Sequence, residues 1–284
     1  MKFLNLLLLS LLAVACSKKN VEPMPEATPA PTPVEANGER TFFKDAEIVV
    51  LHDYYTGADH KGFIFMPTAP TVGPTKWVWY APTLMANGGT PMELQHTFYV
   101  NELRAHGFAV VGCDVGESFG SPQGRTVWKA FYDTLIAKGF QTQGVFLLQS
   151  RGGLQGYSFI KDNPSVVKAV AGIYPMVTYD DYAGPSEFCK AWGFSLVNNV
   201  QCVSDFNAVK GQTDALANAS SFSFPIYHVH GTDDVTVHYS NAVLFRNANN
   251  NVTLETVVGQ EHEFYSVEFF KNDSLLNFIY THGG

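Results

Sequence analysis

The stretch Gly144-Val145-Phe146-Leu147-Leu148-Gln149-Ser150-Arg151-Gly152-Gly153-Leu154 decides how the chain is read. Its first half is a short apolar run that reads as a strand, and it passes through small residues into helix-like sequence. A serine on such a sharp strand-to-helix turn is exposed at the strand end. The small residues after it let neighbouring backbone approach, and the helix N-terminus favours negative charge developing nearby. Ser150 is therefore the leading nucleophile candidate. A turn of this kind usually reads GxSxG, and Leu148 stands where the first glycine belongs, so its bulk is expected to strain the turn. Taken alone, the turn is open to two readings, a catalytic elbow or a tight packing turn.

Outward from this stretch, short apolar runs alternate with helix-like segments. Glu47 to Leu51 and Gly62 to Met66 read as an antiparallel hairpin, and Trp77 to Tyr80 as a strand buried on both faces. There follow a helix from His96 to His106, a strand from Phe108 to Cys113, a helix from Thr126 to Lys138, and the quoted strand. A helix from Gly152 to Lys161 and a strand from Val167 to Tyr174 come next, then an irregular insertion over about residues 175–224. The chain ends with a strand from Pro225 to His230, a helix near Ser240 to Asn247, a strand from Val252 to Val258 and one helix from Val267 to Tyr280. This alternation predicts an α/β fold with a mostly parallel sheet covered on both faces, whose functional loops gather at the carboxyl ends of the strands. A dinucleotide-binding domain would need GxGxxG after its first parallel strand, and only Ala81-Pro82-Thr83-Leu84 follows Tyr80.

Two further strand ends supply partners for Ser150. His228-Val229-His230-Gly231-Thr232-Asp233-Asp234 puts an acid three residues after a glycine, and Gly259-Gln260-Glu261-His262 puts a histidine in the loop before the final helix. A loop histidine or an Asp pair is ordinary by itself, but Ser150, Asp234 and His262 stand in the chain order and structural settings of a catalytic triad. Asp233 fits a turn residue. His228 and His230 alternate on a strand, and without CxxC or HExxH spacing elsewhere no metal site is expected.

The chain has 284 residues, 46% of them apolar and 15% charged, which is globular composition and excludes a disordered chain or a long coiled coil. With 18 Lys and Arg against 26 Asp and Glu the formal charge is −8, so nucleic acid is not an expected partner. Residues 1–15 read as a signal peptide, because the apolar stretch from Phe3 to Ala15 is too short to span a bilayer. Leu12-Ala13-Val14-Ala15-Cys16 resembles a bacterial lipobox, which implies lipid attachment at Cys16 and a place in the cell envelope, at the outer membrane or cell surface. Residues 16–40 are polar and Pro-rich, a tether, and residues 41–284 form the folded domain. In an exported protein disulfides persist, so Cys189 and Cys202, thirteen apart, are read as a possible loop-closing pair, and Cys113 as a buried thiol.

Trp77-Val78-Trp79-Tyr80-Ala81-Pro82, Asp114-Val115-Gly116-Glu117-Ser118-Phe119-Gly120 and Ser150-Arg151-Gly152-Gly153-Leu154 resemble the α/β-hydrolase superfamily, specifically the esterase-like relatives of the prolyl oligopeptidase group. The resemblance covers residues 47–282. It implies an α/β-hydrolase fold with an N-terminal antiparallel hairpin and a cap-like insertion over the active site. It also implies a serine hydrolase of carboxylic esters that works through Ser150, Asp234 and His262 without a cofactor or metal. Oxyanion donors would come from the Arg151 backbone and from Ala81 or Thr83, since Pro82 cannot donate. The Arg151 side chain resembles the arginine of the Gly-Cys-Ser-Arg turn in glucuronoyl esterases, with a surface salt bridge as its alternative role. A small-molecule or polysaccharide ester is the expected substrate. A serine peptidase is the nearest alternative, and a non-catalytic ligand-binding lipoprotein, for which Leu148 would be the sign, is the other.

Overall fold

A computed structural model describes residues 45–53, 57–69, 72–81, 97–181, 185–194, 199–263 and 266–284. The leader, Cys16, the tether and Thr83 lie outside the described residues. The apolar runs become strands β1 (Glu47–His52), β2 (Asp59–Phe65), β3 (Lys76–Ala81), β4 (Phe108–Cys113), β5 (Gly144–Gln149), β6 (Val167–Ile173), β7 (Ile226–Gly231) and β8 (Val252–Val257). They make one sheet in the order β1-β2-β4-β3-β5-β6-β7-β8. β2 runs antiparallel to β1 and β4, and all the other pairs are parallel.

The sheet has core on both faces, which is why β4 and β5 are buried at every position and apolar nearly throughout. Alternation along a strand sends Trp77, Trp79, Phe146 and Leu148 to one face. There they pack on Trp128 and Phe131 of α2 (Pro122–Ala137) and Tyr157 and Phe159 of α3 (Gly152–Asp162). Val78, Tyr80, Val145 and Leu147 go to the other face, against α1 (Thr97–Ala105) and the last helix. Trp79 stacks on Phe146 with ring centroids 5.7 Å apart and meets Phe131 edge-on at 5.3 Å.

Three elements differ from the sequence reading. α2 begins at Pro122, not Thr126, because the Ser121 hydroxyl accepts from Gly124 N–H and proline is pre-set for the first helical turn. The last helix is two pieces, α7 (Val267–Phe270) and α8 (Asp273–Gly283), after α6 (Tyr239–Ala248). The break is at Asn272, whose side chain accepts from Leu275 N–H and so caps α8. The insertion is not irregular throughout: it holds α4 (Pro185–Ala191) and α5 (Asn199–Lys210), joined by a Cys189–Cys202 disulfide with Cα atoms 5.8 Å apart. Phe188 stacks on Phe206 at 4.9 Å, and this small core closes over Phe119, Leu154 and Met176, next to the ends of β4 and β5. Cys113 is a buried free thiol.

Candidate active site

Ser150 follows β5 directly and sits in the left-handed region with φ 49°, a conformation that an L side chain adopts only when its surroundings hold it there. The holding contacts are backbone: Ser150 N–H donates to Ile173 carbonyl at 3.2 Å, and Met176 N–H donates to Ser150 carbonyl at 2.8 Å. That approach explains Gly153, where a Cβ would lie 2.4 Å from the Met176 carbonyl oxygen. Leu148 does not crowd the turn from within the strand. It is fully buried against α3, in space left by Gly156, where a Cβ would lie 2.3 Å from its Cδ2. A glycine on the helix stands in for the glycine missing from the strand.

The structure brings Ser150, His262 and Asp234 together. Ser150 Oγ lies 3.0 Å from His262 Nε2, and His262 Nδ1 lies 2.8 Å from Asp234 Oδ2. With the proton on Nδ1 the imidazole donates to the carboxylate and accepts from the serine hydroxyl. Asp234 is buried, and its other oxygen accepts from Thr236 N–H at 2.9 Å and Val237 N–H at 2.8 Å. Burial pushes the Asp234 carboxyl up, but hydrogen bonds from His230, His262 and Val237 outweigh it and hold the group well below the usual carboxylate range. It is therefore an anion throughout the neutral range. Asp233 is exposed and accepts from the Thr232 hydroxyl, a turn contact.

The loops that carry the acid and the histidine meet through Gly231. A Cβ there would stand 2.2 Å from the Gln260 carbonyl oxygen, and Asp233 N–H donates to that same oxygen at 3.0 Å. Tyr174 lies against the His262 ring, with centroids 4.3 Å apart, and its hydroxyl donates to the Glu263 carbonyl at 3.1 Å. Burial raises that phenol, so it stays protonated as a donor. Gln149 holds the same hydroxyl from the other side at 3.1 Å.

Sequence reasoning missed three contributors. His230, fully buried, places Nε2 2.8 Å from the Val237 carbonyl and 3.4 Å from Asp234 Oδ2, behind the acid. The signal was there in the His-Gly step before the acid, which the sequence reading weighed only for metal. Tyr174 and Gln149 gave none, being aromatic and polar residues at strand ends. His228, on the same strand face, packs on Phe245 and bonds the Tyr157 hydroxyl at 2.6 Å, and burial lowers it to about 3, so it is neutral. Among the described residues no group of three or more His, Cys, Asp or Glu could hold a metal ion.

Of the oxyanion candidates, Arg151 adjoins the serine and Ala81 ends β3, buried, in register with Leu148. The Arg151 side chain is in an ion pair, with Nη1 2.6 Å from Glu117 Oε1. This pair stands in the wall of a cavity of about 640 Å³ bounded by the β1–β2 turn, the chain after β4, the start of α2, and α4. Asp53, Ser118, Gln123, Glu187 and Lys190 line it as well. The insertion thus contributes part of the cavity wall.

No family model matches the sequence, and no curated protein matches it. Solved structures do. The chain is similar to an S-formylglutathione hydrolase from Agrobacterium tumefaciens, with TM-score 0.66 and 15% identity over 84% of this chain and 95% of that one. Est1E from Butyrivibrio proteoclasticus gives TM-score 0.63 and 19% identity over 84% of this chain and 99% of its own. A puromycin-hydrolyzing peptidase of Mycobacterium tuberculosis gives 0.65 and 17% over 84% of this chain but only 40% of the peptidase. At such identities the likeness is one of fold. With its mostly parallel eight-stranded sheet, helices on both faces and an antiparallel pair at the start, the chain has the α/β-hydrolase fold.

Proposed function

We propose that the protein is a serine hydrolase of carboxylic esters. The observation that carries this reading is the continuous chain Ser150 Oγ, His262, Asp234, with both links at hydrogen-bond length. His262 Nε2 takes the hydroxyl proton as Oγ attacks the ester carbonyl carbon, and Asp234 stabilises the imidazolium so formed. The tetrahedral oxyanion is held by the Arg151 backbone N–H and a second donor from the chain after β3, either Ala81 or Thr83. One such donor contributes about 3 kcal/mol to lowering the barrier. Collapse expels the alcohol, which takes the proton from His262 and leaves an acyl-enzyme. Water, deprotonated by His262, then releases the acid and regenerates Ser150.

The cavity beside Arg151 sets charged side chains, Asp53, Glu117, Glu187 and Lys190, among apolar ones, and these charges support acyl or methyl esters carried on carbohydrates as substrates over long aliphatic esters. The lipobox reading fits the same picture, a hydrolase anchored through Cys16 in the bacterial envelope and facing polymeric esters. The rival reading, a serine peptidase, draws on the likeness to the mycobacterial peptidase, but that enzyme has more than half of its length outside the match.

The test is intact mass after treatment with a fluorophosphonate, on the full chain in detergent and on its Ser150→Ala variant. One adduct on the wild type that is lost in the variant is the expected result, followed by faster turnover of esters than of matched amides. No adduct on a folded wild type would overturn the hydrolase reading in favour of a binding lipoprotein. Turnover of aminoacyl amides in preference to esters would turn it towards a peptidase.

A further inference from the structure

The cavity wall at Arg151, the residue after Ser150, carries a charge pattern that ester cleavage itself does not use. Asp53, Glu117 and Glu187 face the same space as Arg151 and Lys190. Arg151 follows the reacting serine, and a guanidinium in that position would take a substrate carboxylate in a two-point grip. Glu117 has already engaged it, with 2.6 Å between Nη1 and Oε1. Burial pushes the Glu117 carboxyl up and Arg151 holds it down, while Glu187 and Asp114 stand near enough to push it up again. A second carboxylate brought to Arg151 would have to displace Glu117 and stay among these acids.

A hydroxyl meets no such opposition. It can donate to the carboxylate oxygens and accept from amide or ammonium N–H, whereas a carboxylate can only accept. One donor lacks a partner nearby: Gln155, 8% exposed, accepts from the Ser118 hydroxyl through Oε1 at 2.7 Å, while its buried Nε2 has no partner among the described residues. Gln155 lines the smaller recess that Glu117, Arg151 and Gly152 share beside the nucleophile turn.

We infer that Glu117 is a specificity-determining residue, which by occupying the Arg151 guanidinium closes the cavity to ester arms bearing a carboxylate and reserves it for neutral, hydroxyl-rich arms. The inference rests on the hydrolase reading for the reacting bond, though not for what the cavity binds. It excludes uronic-acid esters with a free carboxylate near the scissile bond, and it points to neutral sugar esters.

The test compares wild type with Glu117→Gln on two neutral and anionic pairs, with the full chain in detergent. One pair differs in the alcohol arm, O-acetylated galactose against O-acetylated galacturonate. The other differs in the acyl arm, the 4-nitrophenyl esters of succinamate and succinate. The wild type should prefer the neutral member of at least one pair at least tenfold in kcat/KM. Glu117→Gln should cut that preference at least tenfold, mostly by lowering KM for the anion, and adding Arg151→Gln should abolish the gain. A wild-type ratio near one in both pairs, or a ratio unmoved by Glu117→Gln, overturns the inference. Calorimetric titration with galactose and galacturonate reads the cavity without catalysis. If fluorophosphonate fails to label Ser150 but Glu117→Gln gains galacturonate binding that the wild type lacks, the hydrolase reading fails and this inference stands. If neither the titration nor either kinetic pair shows such a gain, the inference fails whatever the labelling shows. A thermal melt on each variant separates misfolding from changed preference, and Glu117→Asp, which keeps the charge, should retain the wild-type preference.

Discussion

The two sides of Ser150 are built on different principles. On the side of β7 and β8 the polar contacts converge on one carboxylate: Asp234 receives two backbone N–H groups, His262 and His230, and its side chain is fully buried. On the side of β2, β4 and α4 the charges face a cavity, Arg151 paired with Glu117, and Lys190 lining it with Asp53 and Glu187. The first arrangement fixes one proton path. The second leaves a wall whose charges can be changed without moving the serine. Substitutions on the first side should therefore act on the chemical step, and those on the second on the choice of substrate.

The largest effect is expected at the acid. Asp234→Asn keeps the shape but removes the charge that stabilises the imidazolium, and it should lower kcat by about 10⁴ with KM nearly unchanged. Asp233→Asn, one residue away but exposed and with its carboxylate bonded to the neighbouring Thr232 hydroxyl, should stay within about twofold, since surface changes of this kind are usually worth under ~0.5 kcal/mol. Steady-state kinetics on both variants settles which aspartate belongs to the proton path. The reverse result would move the acid to Asp233 and break the geometry described above.

His230 sharpens the same side at smaller scale. His230→Phe leaves the buried Val237 carbonyl without its donor, which costs about 1–3 kcal/mol of stability, and takes a donor away from Asp234. With one donor fewer the Asp234 carboxyl is held down less. The acid limb of kcat/KM should then move to higher pH, while the fully deprotonated enzyme keeps most of its turnover. His230→Gln, which can still donate from its amide, should bring the limb back towards wild type. A melt shifted with no change in the pH profile would make His230 structural only.

Legibility divides along the same line. β4 and β5 fall on the residues read from sequence because each is an unbroken apolar run ended by polar residues, and burial on both faces demands that composition. The acid follows β7 and the histidine follows β8, each ended by a glycine-containing loop, so their place at the sheet's carboxyl edge could be read locally. The cavity wall could not. Asp53, Glu117, Arg151 and Glu187 come from four separated segments, and each alone looks like a solvated surface charge. α5 also escaped, since its buried residues Cys202 and Phe206 pair with Cys189 and Phe188 of α4, a tertiary fact without sequence periodicity. The split of the last helix was readable in principle from Asn272 followed by Asp273, an N-cap and an acidic first turn, but the apolar pattern on either side masks it.

The disulfide gives the smallest predicted effect on chemistry and the cleanest separation of the two sides. Cys189 and Cys202 close a short loop, and a crosslink of that span contributes about 3 kcal/mol by restricting the unfolded chain. What it holds is α4, whose Glu187 and Lys190 stand in the cavity wall, and not the loops that carry Asp234 and His262. Replacing both cysteines by serine should lower the melting temperature and raise KM for esters whose polar arm fills the cavity. Fluorophosphonate labelling, which asks only for the serine, its base and the oxyanion donors, should keep its rate to within about threefold, a difference of under ~0.7 kcal/mol in the barrier. Should labelling fall in step with ester turnover, α4 would be supporting the proton path as well, and the division between a side for chemistry and a side for substrate would fail.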